Sequence, residues 1–415
     1  MKKYYSFDWI TITIYLILVL GGYLSIYSSS FNINDANYMS LSQLYGKQLF
    51  FIVLSILTGV FILIIDSRIF TKMGYLIYIV TNVLLILVLI VGKEVGGAKA
   101  WFDFGLFGLQ PAEFAKYGTV LAIAKYLHDN DIYLNKNKYL IHVILLISTP
   151  VFLILLQPDA GSALIFFSLI IMFFREGFPL IYIATAITVI IIAILTLLFG
   201  MESVILMVLL ASVILGLVLK NNRKRIMAGF LFFIFGALII SAVQFSYTNI
   251  LGNHQKERID IILGKETNTL GSGYNLNQSL IAIGSGGLSG KGYLNGTQTK
   301  FNFVPEQNTD FIFCTVGEEL GFIGSIFVII TFLALIIRLI ILSEKQTSRF
   351  SRIVGYSLVS IIFAHVFINI SMTIGIMPII GIPLPFFSYG GSSLLCFSML
   401  LFTFIKLDAS RTKRF

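Results

Sequence analysis

Charge is scarce in this chain. Asp, Glu, Lys and Arg make up 12% of its 415 residues, about half of the ~25% usual in soluble domains. That scarcity excludes the soluble globular classes. Disorder and collagen fall too, because 57% of the residues are hydrophobic and no glycine period runs through them. The apolar–polar alternation of membrane β-barrel strands is missing. Cysteine is nearly absent. Cys314 and Cys396 both fall in apolar segments, so neither a disulfide framework nor a zinc site is expected. A small-x-small cleavage site is lacking after the first apolar stretch, Ile10–Tyr27, which therefore reads as a retained helix. Nothing in the composition suggests a separate soluble domain or a low-complexity tail.

What is present is long, continuous apolar sequence, as in Ile77–Val91 and Ile187–Leu198. Twelve such segments lie near 10–29, 47–65, 75–92, 112–127, 140–156, 160–174, 179–199, 203–219, 227–246, 311–342, 353–375 and 390–407. The expected fold class is an all-α polytopic membrane protein, with residues 1–415 as one integral-membrane domain.

The net charge of +9 invites a nucleic-acid reading. Its distribution argues instead for positive residues holding loops at the cytoplasmic face, with no nucleic-acid partner. With both termini cytoplasmic, eighteen Lys and Arg fall on inner segments and eight on outer ones. Five of the eight lie in one long outer loop, residues 247–310, where the rule is weak. That loop is rich in glycine yet carries the apolar stretch Leu276–Ile283. Short helices at the outer interface, separated by glycine turns, are expected there. A loop of this length is usually functional.

Polar groups are costly in hydrocarbon, so they mark candidate sites. The first group is Gly96–Trp101 continuing into Gln110-Pro111-Ala112-Glu113-Phe114-Ala115-Lys116. Pro111 and Glu113 suit a helix N-terminus, and Glu113 and Lys116 share a face. They read either as a capped helix with a local ion pair or as a charged pair lining an outward-opening cavity; Trp101 reads as an interfacial anchor or part of that site. The second is Gln157-Pro158-Asp159-Ala160-Gly161-Ser162, where Asp159 either caps the next helix or shapes a polar site. The third is Phe303–Phe313, holding Pro305, Glu306, Thr309 and Asp310. Asp310 opens an apolar helix that also carries Glu318 and Glu319, more carboxylates than a cap needs. Neighbouring helices are an alternative partner for that Glu pair. The fourth is Pro383–Ser393, with Ser388, Tyr389 and Ser392, an irregular stretch tolerated where it lines a cavity or is buried by protein. His365 and Asn369, one turn apart, read as interhelical hydrogen-bonding residues. Most of these groups fall on the outer face. A transporter would place its site near the midplane; an outer polar cleft suits an amphiphilic substrate.

These blocks, with Gln278–Gly287, resemble in content and order the SEDS family (shape, elongation, division and sporulation) over nearly the whole chain. Gly290-Lys291-Gly292 followed by Gly296-Thr297-Gln298 resembles its elongation branch more than its division branch. The resemblance implies a ten-helix core, so the segments within 203–246 would be an added helix pair. It implies a peptidoglycan glycosyltransferase that polymerises lipid II, a disaccharide-pentapeptide on undecaprenyl pyrophosphate. Such enzymes work at the outer face of the bacterial cytoplasmic membrane, beside a class B penicillin-binding protein and other elongation-complex proteins. The family's essential aspartate falls on Asp310, and its motif Glu and Lys on Glu113 and Lys116. Substrate contacts are then expected from Trp101, Gln110, Asp159, Pro305, Glu306, Thr309, Ser388, Tyr389 and Ser392. Asp310 is the candidate base, with Lys116 oriented by Glu113 toward phosphates or acceptor. A divalent cation, Mg or Mn, would assist on pyrophosphate, although no dedicated all-protein metal site is evident. The competing readings are a lipid II flippase and a non-catalytic scaffold.

Overall fold

A computed structural model describes residues 7–31, 43–105, 107–130, 137–218, 222–252, 256, 259–261, 263, 272–301 and 303–411. Lys2, Lys3, Lys136, Lys220, Arg258, Lys265, Lys413 and Arg414, all used in the orientation count, lie outside the described residues.

The apolar segments form helices. α1 is Trp9–Ser30, α2 Leu44–Ile64 and α3 Ser67–Val91. Asp8 and Asp66 start α1 and α3 by accepting from the amides of Thr11 and Arg68, satisfying donors that a helix start leaves open. Three short antiparallel strands follow: β1 Lys93–Val95, β2 Ala98–Asp103 and β3 Gly108–Leu109, in the order β1-β2-β3. They are too brief to show a period in the sequence. Next come α4 Pro111–Asp129, α5 Asn137–Leu155, α6 Ala160–Phe166 and α7 Ile170–Arg175, the last two joined by a single tight turn. Then come α8 Leu180–Phe199, α9 Met201–Val218 and α10 Asn222–Phe245. Residues 247–310 contribute α11 Ser272–Ser285 and α12 Thr297–Lys300, short helices with glycine-rich turns between them. The chain ends with α13 Ile312–Glu344, α14 Arg349–Thr373 and α15 Gly391–Ala409. Eight of the described helices are long and apolar enough to cross a membrane, and three shorter ones are apolar. The protein is a multi-pass membrane protein.

The chain divides into two compact units, 1–178 with 275–415, and 179–274. In the first, α3 packs on α4, α2 on α15, α1 on α13, and α14 on both α13 and α4. α13 is broken at Gly321, whose backbone (φ 64°, ψ −158°) leaves the helical region. The break frees backbone groups that lipid cannot satisfy. Residues 286–292 satisfy them: the amides of Phe322 and Ile323 donate to Gly287 and Leu288 at 2.9 and 3.1 Å. Those of Lys291 and Gly292 donate to Glu318 and Glu319, each at 3.0 Å. A Cβ on Gly290 would lie 2.1 Å from the Glu319 carbonyl oxygen, so only glycine permits this approach.

The second unit holds α8, α9 and α10 around Ile192, Val204, Val208 and Ile240. Gly229 and Gly236 let α10 approach Ser212 and Val208 of α9 closely. The expected helix pair within 203–246 lies in this unit together with α8.

Candidate functional site

The four polar blocks converge. Pro111 and Glu113 open α4, as their chemistry favours. Just before it, Gln110 donates through Nε2 to Asp159 at 2.9 Å, and its amide donates to Ser392 Oγ at 3.1 Å. Ser392 Oγ in turn donates to the Gly108 carbonyl at 3.1 Å. Asp159 also caps α6 through the Ser162 amide at 3.0 Å. It is therefore both a cap and a member of the cluster, and the 157–162 block joins the others. Trp101 packs across Gly108 in the small sheet.

The turn at 304–311 and the turn at 383–390 are stitched together. The Tyr389 amide donates to the Asn308 carbonyl at 2.8 Å. Ser388 Oγ donates to the Thr309 carbonyl while accepting from the Leu384 amide at 2.8 Å. Both turns carry a non-glycine residue in the left-handed region, Glu306 at φ 55° and Phe386 at φ 63°. Such conformations persist only where surrounding structure holds them. Thr309 Oγ1 donates to the Glu306 carboxylate at 2.9 Å. Pro305, Glu306, Asn308, Thr309, Tyr389 and Leu44 help line a cavity of about 290 Å³. Burial raises the pKa of the Tyr389 phenol at this rim.

Asp310 sits half-buried at the end of this turn, its Oδ2 beside Gly381. Its carbonyl accepts from Asn369 Nδ2 at 2.8 Å, and the same amide donates to the Ile382 carbonyl at 2.7 Å. Glu113 and Lys116 are only 2% and 3% exposed. They form an ion pair at 2.8 Å. Lys116 Nζ also lies 3.0 Å from His365 Nε2 and 5.3 Å from the centre of the Phe397 ring. The expectation of a pair lining an outward-opening cavity thus meets a pair enclosed by protein.

Glu318 and Glu319 are satisfied by neighbouring elements, the alternative that their place in an apolar helix left open. Glu318 accepts from the amides of Thr297, Gln298 and Thr299 at 2.8, 2.8 and 2.9 Å, and from Lys291 Nζ at 2.7 Å. It anchors α12 to α13. Glu319 accepts from Ser28 of α1. Among the described residues, no group of three or more His, Cys, Asp or Glu is arranged to hold a metal ion.

Two contributors were missed in the sequence. Ser29 bonds Asn308 and, through its carbonyl, Gln307. Gln48, buried in α2, accepts from the Gly390 amide at 3.3 Å. A lone amide in an apolar helix is a legible signal, and Gln48 carried it.

The chain is similar to known proteins in both sequence and fold. A family model described as "Cell cycle protein", covering FtsW, RodA and SpoVE, matches residues 8–208 and 201–413. The peptidoglycan glycosyltransferase RodA of Treponema pallidum is 33% identical over 94% of each chain. The peptidoglycan glycosyltransferase MrdB of Escherichia coli K12 is 31% identical over 80% of this chain and 76% of its own. In fold, the chain matches a chain of a peptidoglycan synthase complex at a TM-score of 0.70, with 24% identity over 98% of this chain and 99% of the other. RodA of Thermus thermophilus matches at 0.63, with 24% identity and 98% coverage of each. This chain belongs to the FtsW/RodA/SpoVE family, the SEDS proteins.

Proposed function

We propose that this protein is a peptidoglycan glycosyltransferase that polymerises lipid II at the outer face of the bacterial cytoplasmic membrane, for elongation and shape. The observation that carries the reading is Asp310, a half-buried carboxylate at the junction of the two stitched turns, in a chain whose relatives are named for this activity. A sugar hydroxyl of the acceptor attacks the anomeric carbon of the donor. The bond to the pyrophosphate-lipid breaks, and the hydroxyl proton passes to Asp310. The turns that hold Asp310 line the adjacent polar cavity, where Glu306, Thr309 and Tyr389 present groups suited to a sugar. Gln110, Asp159 and Ser392 brace the neighbouring wall, with Trp101 in the sheet beside them.

A divalent cation accompanying the pyrophosphate belongs to the substrate. The synthase-complex neighbour, whose subject is polymerization and crosslinking, supports a class B penicillin-binding protein as partner; other elongation-complex membrane proteins are what the family resemblance implies.

The test is polymerisation of lipid II by the purified chain, with and without that partner, beside Asp310→Asn. Glycan polymer from the native protein and none from the variant is expected. A fully active Asn variant removes Asp310 as the base. No polymer from the native protein under any partner or cation condition refutes the activity and turns attention to flipping.

A further inference from the structure

His365 and Asn369 stand one turn apart on α14 and face the site together. His365 Nδ1 lies 3.1 Å from the Pro383 carbonyl, and Nε2 lies 3.0 Å from Lys116 Nζ. A carbonyl only accepts, so Nδ1 carries the proton and Nε2 is the acceptor. An ammonium only donates, so Lys116 locks that tautomer. Glu113 supplies the countercharge at 2.8 Å. Second, Asn369 Nδ2 bridges the carbonyls of Asp310 and Ile382. One helix face therefore holds both the Ile382–Pro383 turn and the Asp310 backbone. Third, the ion pair is enclosed: Lys116 is 3% exposed and its ammonium is turned to Glu113, His365 and the Phe397 ring.

We propose that the Glu113–Lys116 pair acts on the reaction at one remove, as a positioning device. It fixes His365, and His365 with Asn369 holds the Pro383 turn and Asp310 in register. The charge of Lys116 is used on the protein, not on the substrate's phosphates. This inference rests on the reading of Asp310 as the base.

The experiment measures initial polymerisation rates against lipid II concentration for the full chain with its partner. The double variant Glu113→Gln with Lys116→Met removes both charges together, so neither is left buried alone. The expected result is a kcat lower by about tenfold with KM held within about twofold. Two single variants separate the two bonds of His365. His365→Asn keeps a donor where Nδ1 stood, and His365→Gln keeps an acceptor where Nε2 stood. The Asn variant is expected to retain a kcat at least about threefold above the Gln variant, because the bond to Pro383 is the one that positions the turn. A raised KM in the double variant, or an unchanged kcat, overturns the proposal, since the first marks a charge that touches substrate and the second a pair with no role. A Gln variant equal to or better than the Asn variant also overturns it. If the double variant does not fold, the His365 comparison alone decides. A native protein that makes no polymer refutes the functional reading instead, so the two failures are distinguishable.

Discussion

Two helices of the first unit and two spans of the second make opposite use of their side chains. In α14 and α15, 83% of the apolar span is buried within the protein. In α8 the share is 11%, and in the span Ile226–Ile250 it is 17%. Yet the more buried pair is the less apolar in sequence. α14 carries His365, Asn369 and a series of buried serines, among them Ser351, Ser357 and Ser360. α8 is almost pure Ile, Leu, Ala and Thr. The difference teaches that apolarity in a membrane protein reports contact with lipid. Lipid chains are as apolar as leucine, so there is no gain in hiding leucine from them. Polar residues are what must be enclosed, and α14, the helix richest in them, holds both turns of the candidate site.

The comparison breaks most severely at Asn369. Replacement by Leu removes the donor to two buried carbonyls, those of Asp310 and Ile382. Each orphaned carbonyl costs about 1–3 kcal/mol. Polymerisation by Asn369→Leu is expected to fall by about a hundredfold, as the loss of roughly 3 kcal/mol in positioning implies. Near-native turnover, read from glycan product on a gel, would show that α14 merely fills space.

A matched pair of truncations sharpens it further. Leu358 of α14 is fully buried, whereas Leu210 of α9 is 54% exposed. Leu358→Ala leaves a cavity, which at the usual cost per volume destabilises by about 2 kcal/mol. Leu210→Ala exchanges one lipid-facing surface for another and is expected to cost below about 0.5 kcal/mol. Thermal melting of the two purified variants checks this, and equal losses would contradict the division between the units.

The same contrast explains what the sequence revealed. The helices were legible because continuous apolar runs leave few alternatives in a membrane. The site blocks were legible because each sets charge or broken backbone where lipid tolerates neither, as at Asp310 and Pro383. The convergence of Asp159 with Gln110 was open in the sequence, since a cap and a site residue look alike there. The enclosure of Lys116 was hidden for a similar reason: spacing along α4 gives the partner Glu113, but His365 lies on another helix. The glycine insertion at Gly321 was invisible, because it depends on backbone pairing between segments some thirty residues apart.

The gentlest test removes residues 201–246 from the second unit. Leu197 near the end of α8 lines one cavity with Ala242 and Val243 near the end of α10 and with Ser246 and Tyr247 just beyond it. The cut ends are therefore near neighbours, and a short join across them is geometrically reasonable. An even number of spans is lost, so the long segment before α13 stays on the same side. The bonds from Asn369 to Asp310, from His365 to Pro383 and from Gln110 to Asp159 are all made by residues outside this segment. Polymerisation of lipid II by the shortened chain with its partner is expected to remain within about threefold of native, since those three bonds are kept. A collapse of activity in a shortened chain that still melts at the native temperature would mean that the second unit contributes to the chemistry, and the contrast between the enclosed α14 and the lipid-facing helices of that unit would fall.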